Sequence, residues 1–148
     1  MTTVIRPERI AELMKIEEQR FLDTHKASTE AFNQSSQVMH EGVPMSWMAK
    51  WPGAHPVFVK EAKGAHFTDL DGRDYIDFCL GDTGSMTGHS PAATVAAVKA
   101  QIDKGITAML PSENAAIVSD LLRERFGLPL WQFTVSATDA NRHVIRYA

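Results

Sequence analysis

Between Pro56 and Cys79, three short β-prone runs, Val57-Phe58-Val59, Ala65-His66-Phe67-Thr68 and Tyr75-Ile76-Asp77-Phe78, are separated by Lys63-Gly64 and Asp71-Gly72. Branched and aromatic residues favour a pleated surface, and Asp-Gly supplies the positive φ angles of a tight reversal. Connections this short let each run pair only with its neighbour in sequence. Residues 57 to 79 are therefore predicted to form a three-stranded antiparallel meander.

The flanks read as helical. Pro7 suits a first helical turn, and Ile10, Leu13, Met14 and Phe21 mark a partial apolar stripe that Glu17 interrupts. Residues 1 to 40 form an N-terminal helical arm, ended by Gly42-Val43-Pro44, and the pattern fits a peripheral helix as well as one packed on a partner subunit. Ser90-Pro91 supplies an N-cap and a first-turn proline, with Val95, Val98 and Ile102 repeating before Gly105. Another helix is predicted from Ser112 to Phe126, turning Ile117, Val118, Leu121 and Leu122 to a core, with Gly127 closing it. Trp131 to Val135 has the composition of a buried strand, and Ser136-Ala137-Thr138-Asp139-Ala140 turns it into a helix reaching Ala148. The class is α/β, with a parallel strand whose neighbours are missing and a sheet that is incomplete.

The chain has 148 residues, of which 44% are apolar and 22% charged, which fits a folded domain rather than a disordered segment. A net charge of -3, with no basic run interleaved with aromatics, argues against a nucleic-acid partner. The single cysteine, Cys79, has no internal disulfide partner, and the opening residues lack a basic region followed by an apolar one. No apolar stretch is long enough to cross a bilayer, so a cytoplasmic protein away from membranes is expected.

Two stretches carry chemistry. At the predicted strand-to-helix junction, Ser136 and Thr138 offer hydroxyls beside the free N–H groups of a helix start, where partial positive charge gathers. An anion seat and a plain N-cap both fit. The loop from Gly81 to Pro91 holds three glycines and four hydroxyl residues, and fits a ligand loop or a crossover; its glycines follow neither nucleotide-binding pattern. Six scattered histidines without ligand spacing and one cysteine give no metal site, and no nucleophile elbow supports a hydrolase triad. Trp47 and Trp51 with Met45 and Met48 could line a pocket or simply pack.

Taken in order, Glu41-Gly42-Val43, the run Asp69-Leu70-Asp71-Gly72-Arg73-Asp74-Tyr75-Ile76-Asp77-Phe78, Gly88-His89-Ser90-Pro91 and Ser136-Ala137-Thr138-Asp139-Ala140-Asn141 resemble the class III pyridoxal-phosphate-dependent aminotransferases, including the glutamate-1-semialdehyde aminomutase-like branch. The resemblance implies the N-terminal segment of a fold type I transferase: the arm over 1–40, a small-domain meander and glycine-rich loop over 41–90, and the beginning of the large pyridoxal-phosphate-binding domain over 91–148. It implies a homodimer, and a turn, Ser136, Ala137 and Thr138, that cradles the cofactor phosphate. Ala137 stands where the family has glycine, and would be strained if that position required positive φ.

The substrate positions also depart. Met48 falls where the aminomutase branch has a carboxylate-binding arginine, with Lys50 close by as a point charge, and Asp82 falls where that branch has a pocket tryptophan. Trp47 and Asp82 are the expected substrate-pocket residues, and a carboxylate at 82 would favour a cationic or hydroxyl-bearing substrate group. The resemblance places the Schiff-base lysine and the aspartate on the pyridinium nitrogen after the phosphate turn, whereas all the lysines here, from Lys15 to Lys104, precede it. No catalytic residue of the family therefore lies in the chain, which is expected to be inactive alone, either as a truncated product or as a non-catalytic remnant serving as a binding or dimerisation module. The function implied is transfer of an amino group between an amino acid or amine and a carbonyl acceptor, the alternatives being an aminomutase or an unrelated phosphate-binding α/β domain.

Overall fold

The structure, a computed structural model, describes residues 6–148, so the reading of the first five residues lies outside the described residues. It divides into two compact units, Met1–Ala100 and Gln101–Ala148.

The first unit opens with α1 (Pro7–Thr24), whose first-turn proline supplies a preset φ. The chain breaks at His25 (φ -125°, ψ 51°) and resumes as α2 (Lys26–Ser35). No local side chain caps α2; the cap comes from the turn after Asp69, where Asp71 Oδ1 and Oδ2 accept the backbone N–H groups of Ala27 and Ser28 at 2.7 and 3.0 Å. Two short 3-10 turns follow, His40–Gly42 and Ser46–Ala49. Gly42 has φ +70°, and a Cβ there would stand 2.5 Å from Ser36 Oγ, so the chain passes the end of α2 only with glycine.

The predicted meander is present with shifted bounds: β1 (Val59–Lys63) begins at the last residue of the first predicted run, and with β2 (His66–Asp69) and β3 (Asp74–Ile76), which stops short of Asp77-Phe78, it pairs antiparallel in sequence order. Lys63 faces His66 across the first reversal and Thr68 faces Asp74 across the second. The interior of this unit is unusually polar. Val43 is the one buried apolar side chain among the described residues, beside buried His25, Ser28, His55 and Asp69. Each of these polar groups is hydrogen-bonded, as burial requires.

After the meander comes α3 (Ala92–Ile102). Ser90 does not cap it as expected: its φ is +50° and its hydroxyl donates to Ala62 O at 3.1 Å, tying the loop to β1 instead. The second unit contains α4 (Glu113–Phe126), closed by left-handed Gly127, and α5 (Ala137–Tyr147). Two expectations fail in it. Trp131 to Val135 is not a strand, and Val135 is 96% exposed. A strand exists only through a partner's backbone groups, and the second unit provides none. Ile117, Val118 and Leu121 on α4, expected to face a core, are exposed, because no element within the unit covers them. Among the described residues no helix is long and apolar enough to cross a membrane.

Candidate functional site at a helix N-terminus

The three residues expected to hold phosphate open α5. Ser136 is extended (φ -159°, ψ 160°), and its Oγ accepts the Asp139 N–H at 3.1 Å, which makes it the N-cap. The hydroxyl proton of Ser136 is not consumed by that bond, since an oxygen that accepts can still donate. Thr134 Oγ1 donates to Ser136 O at 3.1 Å and fixes the entry. Ala137 and Thr138 lie inside the helix, and Ala137 is not among the residues with positive φ. The strain expected of alanine in place of glycine therefore does not arise.

Among the described residues, the backbone N–H groups of Ala137 and Thr138 and the Thr138 hydroxyl have no protein partner. Two amides, the Thr138 hydroxyl and the Ser136 hydroxyl proton are thus left without a protein partner at the positive end of an eleven-residue helix. That donor set fits a phosphate monoester. Asp139, the acidic residue in the first turn, has Arg142 Nη1 at 3.9 Å, which offsets part of its charge, and His143 Nε2 at the same distance.

The expected substrate residues lie on different segments of the first unit. Trp47 sits in the second 3-10 turn, 59% exposed, its Nε1 donating to Met45 Sδ at 3.2 Å. Asp82 lies in the loop after β3 with φ +52° and its N–H on Cys79 O. No hydrogen bond joins the two among the described residues. Of the Trp/Met cluster, only Trp51 borders the 460 Å³ cavity between α1 and the meander, with Phe21, His25, Val57, Phe67 and Tyr75. Lys50 caps the turn that holds Trp47.

Sequence reasoning missed two polar assemblies. In one, the buried Asp69 carboxylate accepts the Tyr75 hydroxyl at 2.8 Å, and that oxygen lies 2.8 Å from His25 Nε2 at the break between the arm helices. Burial, then the bond to Asp69, pushes the Tyr75 hydroxyl up to about 12. In the other, His89 Nε2 meets Asp77 Oδ2 at 2.6 Å. Both aspartates and Tyr75 lie within the motif run quoted for the family, but His25 and His89 come from outside it.

This order of arm, meander, glycine-rich loop and helix is the N-terminal segment, incomplete, of the fold type I pyridoxal-phosphate aminotransferases. Among solved structures, a glutamate-1-semialdehyde-aminomutase from Pseudomonas aeruginosa PAO1 matches with a TM-score of 0.88 at 46% identity, over 96% of this chain and 31% of that one. A variant of the same Pseudomonas protein was crystallised in complex with PMP. A β-phenylalanine aminotransferase from Variovorax paradoxus matches with a TM-score of 0.85 at 26% identity, over 93% of this chain and 32% of that one. Among curated proteins, the glutamate-1-semialdehyde 2,1-aminomutase of Thermoplasma volcanium is 34% identical over 125 residues, covering 82% of this chain and 29% of that protein. The model of the family described as Aminotransferase class-III matches residues 47–148, and the chain belongs to that family, whose members depend on pyridoxal phosphate. It spans about three tenths of the length of the relatives it matches.

Proposed function

We propose that these 148 residues are the N-terminal segment of a longer cytoplasmic, homodimeric enzyme that moves an amino group between an amino acid or amine and a carbonyl acceptor. In this reading 41–90 is the small-domain segment and 91–148 the start of the large domain. The observation that carries it is the α5 N-terminus, whose unpartnered Ala137 and Thr138 amides, unpartnered Thr138 hydroxyl and uncommitted Ser136 hydroxyl proton match a phosphate in a chain of pyridoxal-phosphate-dependent kin. Ser136, Ala137 and Thr138 hold the cofactor phosphate, and Trp47 and Asp82 border the substrate. When bound, pyridoxal phosphate supplies an electron sink for the bonds at the amine-bearing carbon. The segment's own part is to bind and orient: helix-start donors fix the phosphate, and the pocket residues select the substrate. It holds no lysine after Lys104, so the covalent attachment and the proton transfers fall to the remainder of the fold.

Replacing Thr138 with Val removes one hydroxyl from the seat and leaves the backbone donors in place. In a full-length protein containing this segment, the dissociation constant for pyridoxal phosphate should rise about tenfold or more, because a bond to a charged group contributes roughly 1.5–3 kcal/mol. Since Ser136 already caps α5, the melting temperature of the cofactor-free protein should hardly move. Unchanged cofactor affinity would remove the turn from the site.

The aminomutase reading is second, favoured by the names of the relatives at 46% and 34% identity. Met48 in place of an arginine and Asp82 in place of a tryptophan weigh against it. An aminomutase moves the amino group within one molecule, so its turnover would need no added carbonyl acceptor, whereas a transaminase stops without one.

A further inference from the structure

The connection from Cys79 to Gly88 is strained at its start. Leu80, Gly81, Asp82 and Thr83 have φ of 56°, 57°, 52° and 73°, and three of the four carry a Cβ. Left-handed backbone costs such residues energy, so a run of them persists only where the ends are held.

The ends are held by one pair of side chains and one backbone bridge. Asp77 Oδ1 accepts the N–H groups of Cys79 and Leu80 at 2.9 and 3.0 Å, gripping the entry to the strained run. Its other oxygen, Oδ2, is 2.6 Å from His89 Nε2 at the exit. A carboxylate only accepts, so Nε2 carries the proton. That bond from His89 is the main cause that holds the Asp77 carboxyl below the usual carboxylate range. His89 is itself fixed to the first hairpin, its N–H donating to Gly64 O at 2.8 Å while Gly64 N–H donates to His89 O at 2.9 Å. The chains approach so closely there that a Cβ on Gly88 would lie 3.3 Å from Gly64 Cα. Glu61, Lys63 and His66 on the neighbouring strands make no hydrogen bond to the pair among the described residues.

We infer that Asp77 and His89 form a clasp that positions the strained loop and, through Asp82, sets how tightly a substrate with a cationic or hydroxyl group is held. The inference rests on the reading of Asp82 as a pocket residue. Asp77 and His89 are then positioning residues, acting through Asp82 rather than on the substrate themselves.

The test uses the full-length holoenzyme and the variants Asp77→Asn, His89→Ala, His89→Gln and Asp82→Asn. Amide exchange is followed over 79–88 and over β2, with KM and kcat for the amino donor and cofactor content alongside. Asp77→Asn and His89→Ala should speed exchange in the loop at least about tenfold, leave β2 unchanged, and raise KM about tenfold at nearly constant kcat. Glutamine at 89 places an amide nitrogen near the position of Nε2 and should restore most of both. Asp82→Asn should raise KM without loosening the loop. Unchanged loop exchange, or exchange rising equally through the meander, would overturn the clasp. A KM that moves with Asp82→Asn but not with the clasp variants would overturn the positioning role and leave the pocket reading standing. A KM indifferent to all of them would overturn both. Should Asp77→Asn fail to fold, the alanine and glutamine variants at 89 carry the comparison.

Discussion

Tyr75 joins residues that sequence keeps far apart: His25, fifty positions upstream, and the fully buried Asp69. Removing its hydroxyl leaves an oxygen of the fully buried Asp69 without that donor. Tyr75→Phe should therefore weaken the joint between arm and meander by about 1–3 kcal/mol, read as faster amide exchange over 24–30 in the full-length protein. Exchange unchanged there would show that the bond is dispensable. At this scale the sequence was partly legible. An N-cap at this turn followed from residue type and place, with Ser136 and Thr138 both candidates, because capping is a contact within three residues. Ser90, of the same type before a proline, was misread because β1 offered its hydroxyl a better acceptor in Ala62 O. The partners of His25 and His89 were invisible, being set by how the chain folds back.

At the scale of elements, α2 owes its start to Asp71. Partial burial alone would raise that carboxyl, but the Ala27 and Ser28 backbone donors and the Ser28 hydroxyl outweigh it and hold the carboxyl below its ordinary value. A depressed carboxyl stabilises the fold above the ordinary carboxylate range, and that contribution is lost as pH falls through the depressed value. Asp71→Asn should cost about 1 kcal/mol at neutral pH, a low figure because the carboxylate is partly in solvent, and the difference from the parent should vanish in acid. A penalty that persists at low pH would assign the effect to packing instead. The meander was legible because its turns and pairings are local. The strand expected at Trp131 to Val135 was not, since β composition describes a residue's preference and a strand requires a neighbour's backbone. Asp71 was read only as a turn residue, when its carboxylate also caps a helix 43 positions away.

For the whole molecule, the exposed stripe of α4 and the exposed segment before α5 have one thermodynamic consequence. Exposed Ile117, Leu121, Phe133 and Val135 contribute little burial to offset the entropy of ordering the chain. The isolated 148-residue chain should therefore unfold over a broad range of temperature rather than in one sharp step; a sharp calorimetric transition from a monomer would contradict this. The family was legible from four motif runs in order, while the covering of these surfaces depends on residues that no local pattern names. The central claim is that this segment seats the cofactor and borders the substrate of an amino-transferring enzyme whose covalent chemistry comes from the rest of the fold. It is tested most directly by assaying amino-group transfer, with and without pyridoxal phosphate, by the 148-residue chain and by a full-length protein containing it. The account expects cofactor-dependent transfer from the full-length protein and none from the segment; turnover by the segment alone, or a folded full-length protein that transfers no amino group with cofactor present, would contradict it.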